Sequence, residues 1–346
     1  MAKPTIQDVA QQAGVGVGTV SRVLNNHPSV RPLTRERILR AMEELTYVPN
    51  PHARRIAGGR SYTVSVMLPM VAAEFYIRLI SSIEETLMKA RFDAALFPLL
   101  GRERLERYLE GHTLPYQADG IIQVTYNLAA LFPDGRLPTA QPVVLVDGKS
   151  EVYDCTYVDN YRGGTLAAEC AARFEGPIYL VSFDDENDDD APLRSLVFQQ
   201  RIQGFRDGLV RAGKVLEEVV RCGLLLHEGR EIARRIYAQC FQGQATFPLT
   251  VFCGADIIGR AFIEQAQHDG LELGQDVRVI GFDDQPWAEE IGLTTLHQPV
   301  EQMGRDAAKM LLERLSGYAG PPRQVCYVPR LIERSSTGRV LELSPT

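Results

Sequence analysis

The chain has 346 residues, 45% hydrophobic and 23% charged, which is the balance of an ordinary globular protein and the length of two or three folding units. No apolar run approaches the roughly 20 residues of a membrane helix, and the first residues hold no apolar signal core, so the sequence predicts a cytoplasmic protein without a membrane partner. The formal charge of −7 is uneven: through Arg60 nine Lys and Arg face four Asp and Glu, a net of +5, and the remainder carries 28 against 40, a net of −12. A basic end on an acidic body suits attachment to phosphate, and six scattered cysteines (Cys155, Cys170, Cys222, Cys240, Cys253, Cys326) without CxxC spacing suit reduced thiols.

Residues 5 to 48 read as three short helices. Thr5 can cap the first, with Asp8 three residues on, and Ile6, Val9, Ala10 and Ala13 recur at helical spacing. Gly14 ends it, because glycine tolerates the left-handed conformation of a tight turn. In the second helix Val20, Val23 and Leu24 face inward and Thr19, Ser21, Arg22 and Asn25 stay polar. The third runs from about Thr34 to Leu45 and buries Ile38, Met42 and Leu45. Three helices in this order, in a basic segment, have the layout of a helix-turn-helix DNA reader. The glycines of GVGVG follow a helix at the wrong spacing for a dinucleotide loop, so no cofactor is expected there.

PNPHARRIAGGRS, from Pro49 to Ser61, opens on prolines and closes on a glycine pair. A helix over Pro51 to Ala57 would be too short to stand alone in water, so it is expected to order on DNA; a flexible tether is the alternative. From Tyr62 onward, strands alternate with helices. TVSVMLPM, DAALFPLL, DGIIQVTY, PVVLVDG, PIYLVSF, LTVFCGAD and VRVIGFDD read as buried strands. FYIRLISSIEETLMKARF, RERLERYLEGH, TLAAECAARF, RIQGFRDGLVRAG and IGRAFIEQAQHDG read as amphipathic helices. Parallel sheets covered on both faces follow, and about 280 residues of them make two doubly wound lobes. Ligands in such folds bind beyond the carboxyl ends of strands, where Asp147, Asp256 and Asp283 fall.

Other chemistries are poorly served. The six histidines show no metal spacing, and the acidic run Asp184 to Asp190 lacks the glycine and closing Glu of a calcium loop. No Ser-His-Asp or Cys-His set stands at strand ends, so neither a metal, a cofactor nor catalysis is expected.

Over its full length the chain resembles LacI/GalR-type transcription regulators. The motifs that carry the resemblance are TIQDVAQQAGV, TVSRVLN, YVPNPHARRIAGG, DGIIQ, VVLVDG, VDNYRGG, RIQGF, VIGFDD, TTLHQPVEQMGRDAAKMLL and LIERSST, in that order. The resemblance implies an α/β protein with an N-terminal all-α headpiece (1–48), a hinge helix or linker (49–60) and a periplasmic-binding-protein-like core (61–346). In that core an N-lobe covers about 61–159 and 300–326, and a C-lobe about 160–299 and 327–340. It implies a nucleoid-associated repressor that binds a near-palindromic operator as a homodimer, with a small effector between the lobes controlling affinity. The short tail VLELSPT has no room for a tetramer-forming coil, which also favours a dimer.

By matching position, Thr5, Thr19, Ser21, Arg22 and Asn25 fall at DNA contacts, and Arg22 could pair with a guanine edge. Val17 and Gly18 open the recognition helix and cannot donate side-chain hydrogen bonds; Gly16 stands where a serine is common. In the hinge, Ile56 replaces the leucine that wedges between base pairs, flanked by Arg54 and Arg55, which suit a narrow minor groove. For the effector the resemblance points to Phe75, Asp147, Arg201, Asp256, Asp283 and Gln298. Tyr126 and Trp287 join them by their placement after strands, and Asp284 is expected to order the lobe hinge. Two departures, Ala255 in place of an asparagine and VAAEFY in place of a more polar run, remove groups that sugars use. A sugar or sugar phosphate is the favoured effector. A core that answers to a protein partner, or to nothing, is the second reading, and a sugar-binding protein or enzyme on the same core is the third.

Overall fold

The computed structural model describes residues 4–24, 28–47, 60–69, 73–98, 118–125, 132, 134–183 and 196–338. The expected hinge helix over Pro51–Ala57, the helix over 102–112, the acidic run Asp184–Asp190 and the tail VLELSPT lie outside them. The chain divides into two compact units, Met1–Thr63 with Gln117–Asp119, and Val64–Tyr116 with Gly120–Thr346.

In the first unit, helices α1 (Ile6–Gln12), α2 (Val17–Leu24) and α3 (Pro32–Glu44) enclose Val9, Ala10, Ala13, Val20, Val23, Ile38 and Ala41. Thr5 and Asp8 form a reciprocal capping box: the Asp8 amide donates to the Thr5 hydroxyl at 3.4 Å, and the Thr5 amide donates to the Asp8 carboxylate at 2.7 Å. Gly14 has φ +63°, the conformation that ends α1. α3 begins at Pro32, two residues before the expected Thr34, because proline's fixed φ is already helical and its missing N–H is no loss in a first turn. Met42 and Leu45 pack against the cluster from partly buried positions, and the small Ala41, absent from the expected inner face, is fully inside.

The second unit holds two six-stranded sheets. The first contains β1 (Thr63–Leu68), β2 (Asp93–Pro98), β3 (Gly120–Val124), β4 (Val143–Val146), β5 (Asp154–Val158) and β11 (Gln324–Tyr327), in the order β11-β5-β4-β3-β1-β2. The second contains β6 (Ile178–Ser182), β7 (Glu218–Arg221), β8 (Leu249–Cys253), β9 (Val277–Asp283), β10 (Thr294–His297) and β12 (Arg330–Ile332), in the order β12-β10-β9-β8-β6-β7. The pairings β1–β3, β3–β4, β4–β5, β5–β11, β6–β7, β6–β8, β8–β9 and β9–β10 are parallel; β12 is antiparallel to β10. Central strands are buried end to end, as an apolar run covered on both faces requires. α4 (Glu74–Lys89) and α9 (Val300–Leu315) pack together in the first lobe. α5 (Asn160–Ala171), α6 (Val197–Arg211), α7 (Leu226–Phe241) and α8 (Asp256–His268) belong to the second.

The chain crosses between lobes three times: from β5 into α5, from β10 into α9, and from β11 into β12. Ion pairs brace each lobe internally. Asp154 on β5, whose side chain is fully buried, accepts from Arg314 of α9 at 2.8 and 2.9 Å and from the Arg323 guanidinium at 2.8 Å. Burial alone would raise its carboxyl, but the two guanidinium groups outweigh it and hold the pKa at about 2. Asp284, after β9, accepts from Arg334 and pairs with His297, both at 2.8 Å.

Candidate functional site

The headpiece presents one polar face. On α2, Val20 and Val23 are buried while Val17, Gly18 and Arg22 are exposed and Thr19 and Ser21 half-buried, as helical spacing requires. The Arg22 guanidinium has no partner among the described residues, so its donors are free for a ligand. Val17 is 42% exposed, a large apolar side chain held out to solvent at the start of α2. Thr5 is differently placed. Its hydroxyl donates to Asp8 at 2.7 Å, so while the capping box is intact it has no hydrogen left for a phosphate. Hydrogen bonds from the Thr5 backbone and hydroxyl hold the Asp8 carboxyl below its usual range. Asn25, Arg54, Arg55 and Ile56 lie outside the described residues.

In the second unit a cavity of about 350 Å³ opens between the lobes. Its position follows from two glycine contacts. A Cβ at Gly164 of α5 would collide with the Arg201 carbonyl, and one at Gly204 of α6 with the Tyr161 carbonyl. Only glycine lets α5 and α6 approach this closely, and the approach delivers Arg201 to the cleft. Arg201 is 3% exposed; its Nε donates to Asn160 at 2.9 Å and its Nη1 to the Gly254 carbonyl at 2.7 Å. Its guanidinium carbon lies 3.6 Å from the centre of the Phe282 ring, and its Nη1 is 3.5 Å from Asp283 Oδ1. Burial lowers its pKa, opposed by the charges of Asp283 and Asp147.

The acidic groups are arranged around this cation. Asp147, at the end of β4, accepts the Thr125 hydroxyl on Oδ2 at 3.1 Å, and Thr125 in turn accepts from the Tyr76 hydroxyl at 3.3 Å. Its Oδ1 is buried without a partner. Burial pushes the Asp147 pKa up to about 6, offset in part by Arg201. Asp283 accepts from the Gln298 amide at 2.6 Å, and burial raises its carboxyl against the pull of Arg201. Backbone strain is concentrated here: Thr125 (φ +69°), Asp147 (+58°), Asp283 (+129°) and Asp284 (+52°) all follow or end strands at the cleft. Such conformations cost of order 1–3 kcal/mol each and persist where the surrounding structure enforces them, characteristically at ligand sites.

Of the expected effector residues, Phe75, Asp147, Arg201, Asp283 and Trp287 come together on this wall. Asp256 and Gln298 do not. Asp256 is fully buried, with Oδ1 accepting from Thr295 at 2.6 Å and Oδ2 from the Gln285 amide at 2.8 Å; burial pushes its pKa up to about 7. One oxygen serves β10 and the other the loop after β9, and the fully buried carboxylate is closed off from the cavity. Gln298, also fully buried, stands behind Asp283 and orients it. Tyr126 lies outside the described residues.

Sequence reasoning missed Glu74, Tyr76, Thr125, Phe198, Arg260 and Gln285 on the same wall. Thr125 was recoverable, since it follows a buried strand as Asp147 does. Glu74 and Tyr76 fall in the VAAEFY run, which stands out in the sequence only for the polar groups it lacks, and Phe198, Arg260 and Gln285 come from helix and loop positions with no motif. Glu74 and Trp287 also join the lobes, the indole N–H donating to the carboxylate at 2.6 Å. Arg78 of α4 donates to the Asp284 carbonyl at 3.2 Å and pairs with Glu301 at 2.7 Å. Asp284 is thus committed to the joint between lobes and not to the cavity.

Residues 5–50 match the family described as "Bacterial regulatory proteins, lacI family", and residues 192–337 match a periplasmic binding protein-like domain. The transcriptional repressor PurR of Erwinia tasmaniensis is 30% identical over 347 residues, covering 96% of each chain. The chain belongs to the lacI family of bacterial regulatory proteins. The family member CelR of Thermobifida fusca is 29% identical over 347 residues, covering 96% of this regulator and 98% of CelR. Among solved structures, a probable transcription regulator from Thermus thermophilus is 44% identical with a TM-score of 0.67, covering 80% of this regulator and 98% of that chain. A lac repressor dimer bound to operator superposes with a TM-score of 0.82 at 22% identity, over 98% of this regulator and 100% of that chain, a likeness of fold. The regulator is accordingly a DNA-binding transcription factor, with a helix-turn-helix headpiece and a periplasmic-binding-protein-like core.

Proposed function

We propose that the regulator binds a near-palindromic operator as a homodimer, in the bacterial cytoplasm at the nucleoid, without catalysing a reaction. α2 enters the major groove with Arg22 at a base edge and Thr19 and Ser21 on phosphates, and Val17 offers an apolar contact to a thymine methyl. The hinge of residues 49–60 joins this headpiece of residues 1–48 to the core of residues 61–346. A small effector binds between the core lobes and, by fixing their relative angle, sets operator affinity.

The observation that carries the effector reading is the orphaned Oδ1 of Asp147, a buried acceptor on a strained residue at the cavity wall. An unpaired buried acceptor costs of order 1–3 kcal/mol, which a ligand hydroxyl would recover. Gln285 adds a second, since its Oε1 is also buried without a partner. Of the two cations on the wall, Arg201 is engaged as above and Arg260 has its charge paired through Nε with Glu264 at 2.7 Å. Free acceptors and committed cations favour an uncharged, hydroxylated effector over a sugar phosphate. One relative, CelR, has been solved in complex with cellobiose.

The test is a thermal-shift screen of the full chain against neutral sugars and glycosides and their phosphates. A ligand at a hundredfold its Kd adds about 2.7 kcal/mol of stability. The shift should vanish in Asp147→Ala, and the same ligand should change operator affinity. A panel in which only phosphorylated compounds act would overturn the uncharged class; an Asp147→Ala variant with an undiminished response would remove the cleft as the effector site.

A further inference from the structure

A second cavity, of about 330 Å³, adjoins the first, and the two share Thr125, Asp147 and Val197 on their walls. The chambers differ in chemistry. In the first, the broad surfaces are Phe75, Phe198 and Trp287, with Leu224, Ala255 and Ile257 between them. Most of its polar groups are bonded to protein: Glu74 to Trp287, Arg201 to Asn160 and Gly254, Asp283 to Gln298. It is built to hold a flat, largely apolar ring. The second is lined instead by Lys149, Tyr157, Asp159, Tyr161 and Gln200, of which Asp159 accepts the Arg162 amide and the Tyr161 hydroxyl donates to Asp207, each at 2.9 Å. The Lys149 and Gln200 side chains have no partner among the described residues.

Each chamber is near the lower end of the size usual for a ligand site, so one small ring would leave the other empty. The orphaned Oδ1 belongs to Asp147, which stands on the shared wall and requires a donor at the junction. We infer that the effector is a two-part molecule, with a flat ring in the aromatic chamber joined to a hydroxylated unit in the polar chamber. A hydroxyl or N–H at the junction donates to Asp147. That is the chemistry shared by aromatic glycosides and nucleosides. The inference rests on the cleft being the effector site and adds the polar chamber to it.

Two fragment series test it by calorimetry on the full chain: phenol, glucose and phenyl β-glucoside in one, and adenine, ribose and adenosine in the other. In one series the joined compound should bind at least tenfold more tightly than either fragment, and the series that responds identifies the class. Gln200→Trp places an indole in the polar chamber and should weaken the joined compound at least tenfold while leaving the ring fragment unchanged. Gln200→Ala should retain binding. Gln200 is exposed on α6, and an unaltered melting temperature without ligand shows that each variant is folded. A joined compound no tighter than its better fragment, or one indifferent to Gln200→Trp, overturns the two-part class. Silence in both series also overturns it, while a response to small hydroxylated ligands in the wider screen would leave the cleft as the effector site.

Discussion

The headpiece and the cleft prepare their working residues in opposite ways. On α2, Arg22 is exposed and without a partner among the described residues, carried by a helix whose stability depends on Val20 and Val23 beneath it. In the cleft, Arg201 is buried and Asp283 half-buried, the two lie 3.5 Å apart, and the backbone around them is strained. A surface that meets phosphate and base edges can leave its donors in water until contact. A cavity that meets a small molecule has to hold its polar groups in place against desolvation, so most of them are satisfied internally and only a few, such as Asp147 Oδ1, are left open.

The largest expected effect separates the two arginines. Arg201→Ala leaves the largely enclosed Asp283 without its cation and should cost the core about 3–5 kcal/mol in urea unfolding. A loss below ~1 kcal/mol would show that Arg201 serves the ligand and not the fold. Arg22→Ala should weaken operator binding by about 1–3 kcal/mol in a gel-shift titration while changing stability by less than about 0.5 kcal/mol. Unchanged DNA affinity would break the assignment of α2.

A smaller effect tests the cost of holding Asp147. Burial raises its pKa from the ordinary carboxylate range to about 6, so its contribution is most favourable below about 4 and declines as pH rises through about 6. Asp147→Asn should therefore gain about 3 kcal/mol on the wild type at pH 8 and nearly nothing at pH 4, followed as melting temperature against pH. A gain independent of pH would point to packing instead. Smallest is the cap: Thr5→Ala should cost the headpiece about 1 kcal/mol, and an equal loss of DNA affinity with no loss of helix would restore Thr5 as a phosphate contact.

Much of the fold was legible in local pattern. The long apolar strands and the capping box at Thr5 and Asp8 stand close to where periodicity places them. β7 (EVVR) was missed because an edge strand of four residues, two of them charged, has no apolar run to read; β12 (RLI) is shorter still. In the cleft, strand-end reasoning drew attention to Asp147, Asp256 and Asp283 equally. The structure separates them: Asp147 and Asp283 line the cavity, while Asp256 has both oxygens bonded to Thr295 and the Gln285 amide. That difference depends on β10 and the loop after β9, far from Asp256 along the chain.

By itself the sequence determined the alternation of strands and helices, the basic reading head and the family, because helical and strand periodicity, capping and turn glycines act over a few residues. Only the tertiary structure decided which polar groups are free. Gly164 and Gly204 look like ordinary helix residues until α5 and α6 cross, and their missing side chains then set where Arg201 can stand. Whether a buried oxygen is satisfied depends on neighbours brought from distant segments, and no local pattern records who those neighbours are.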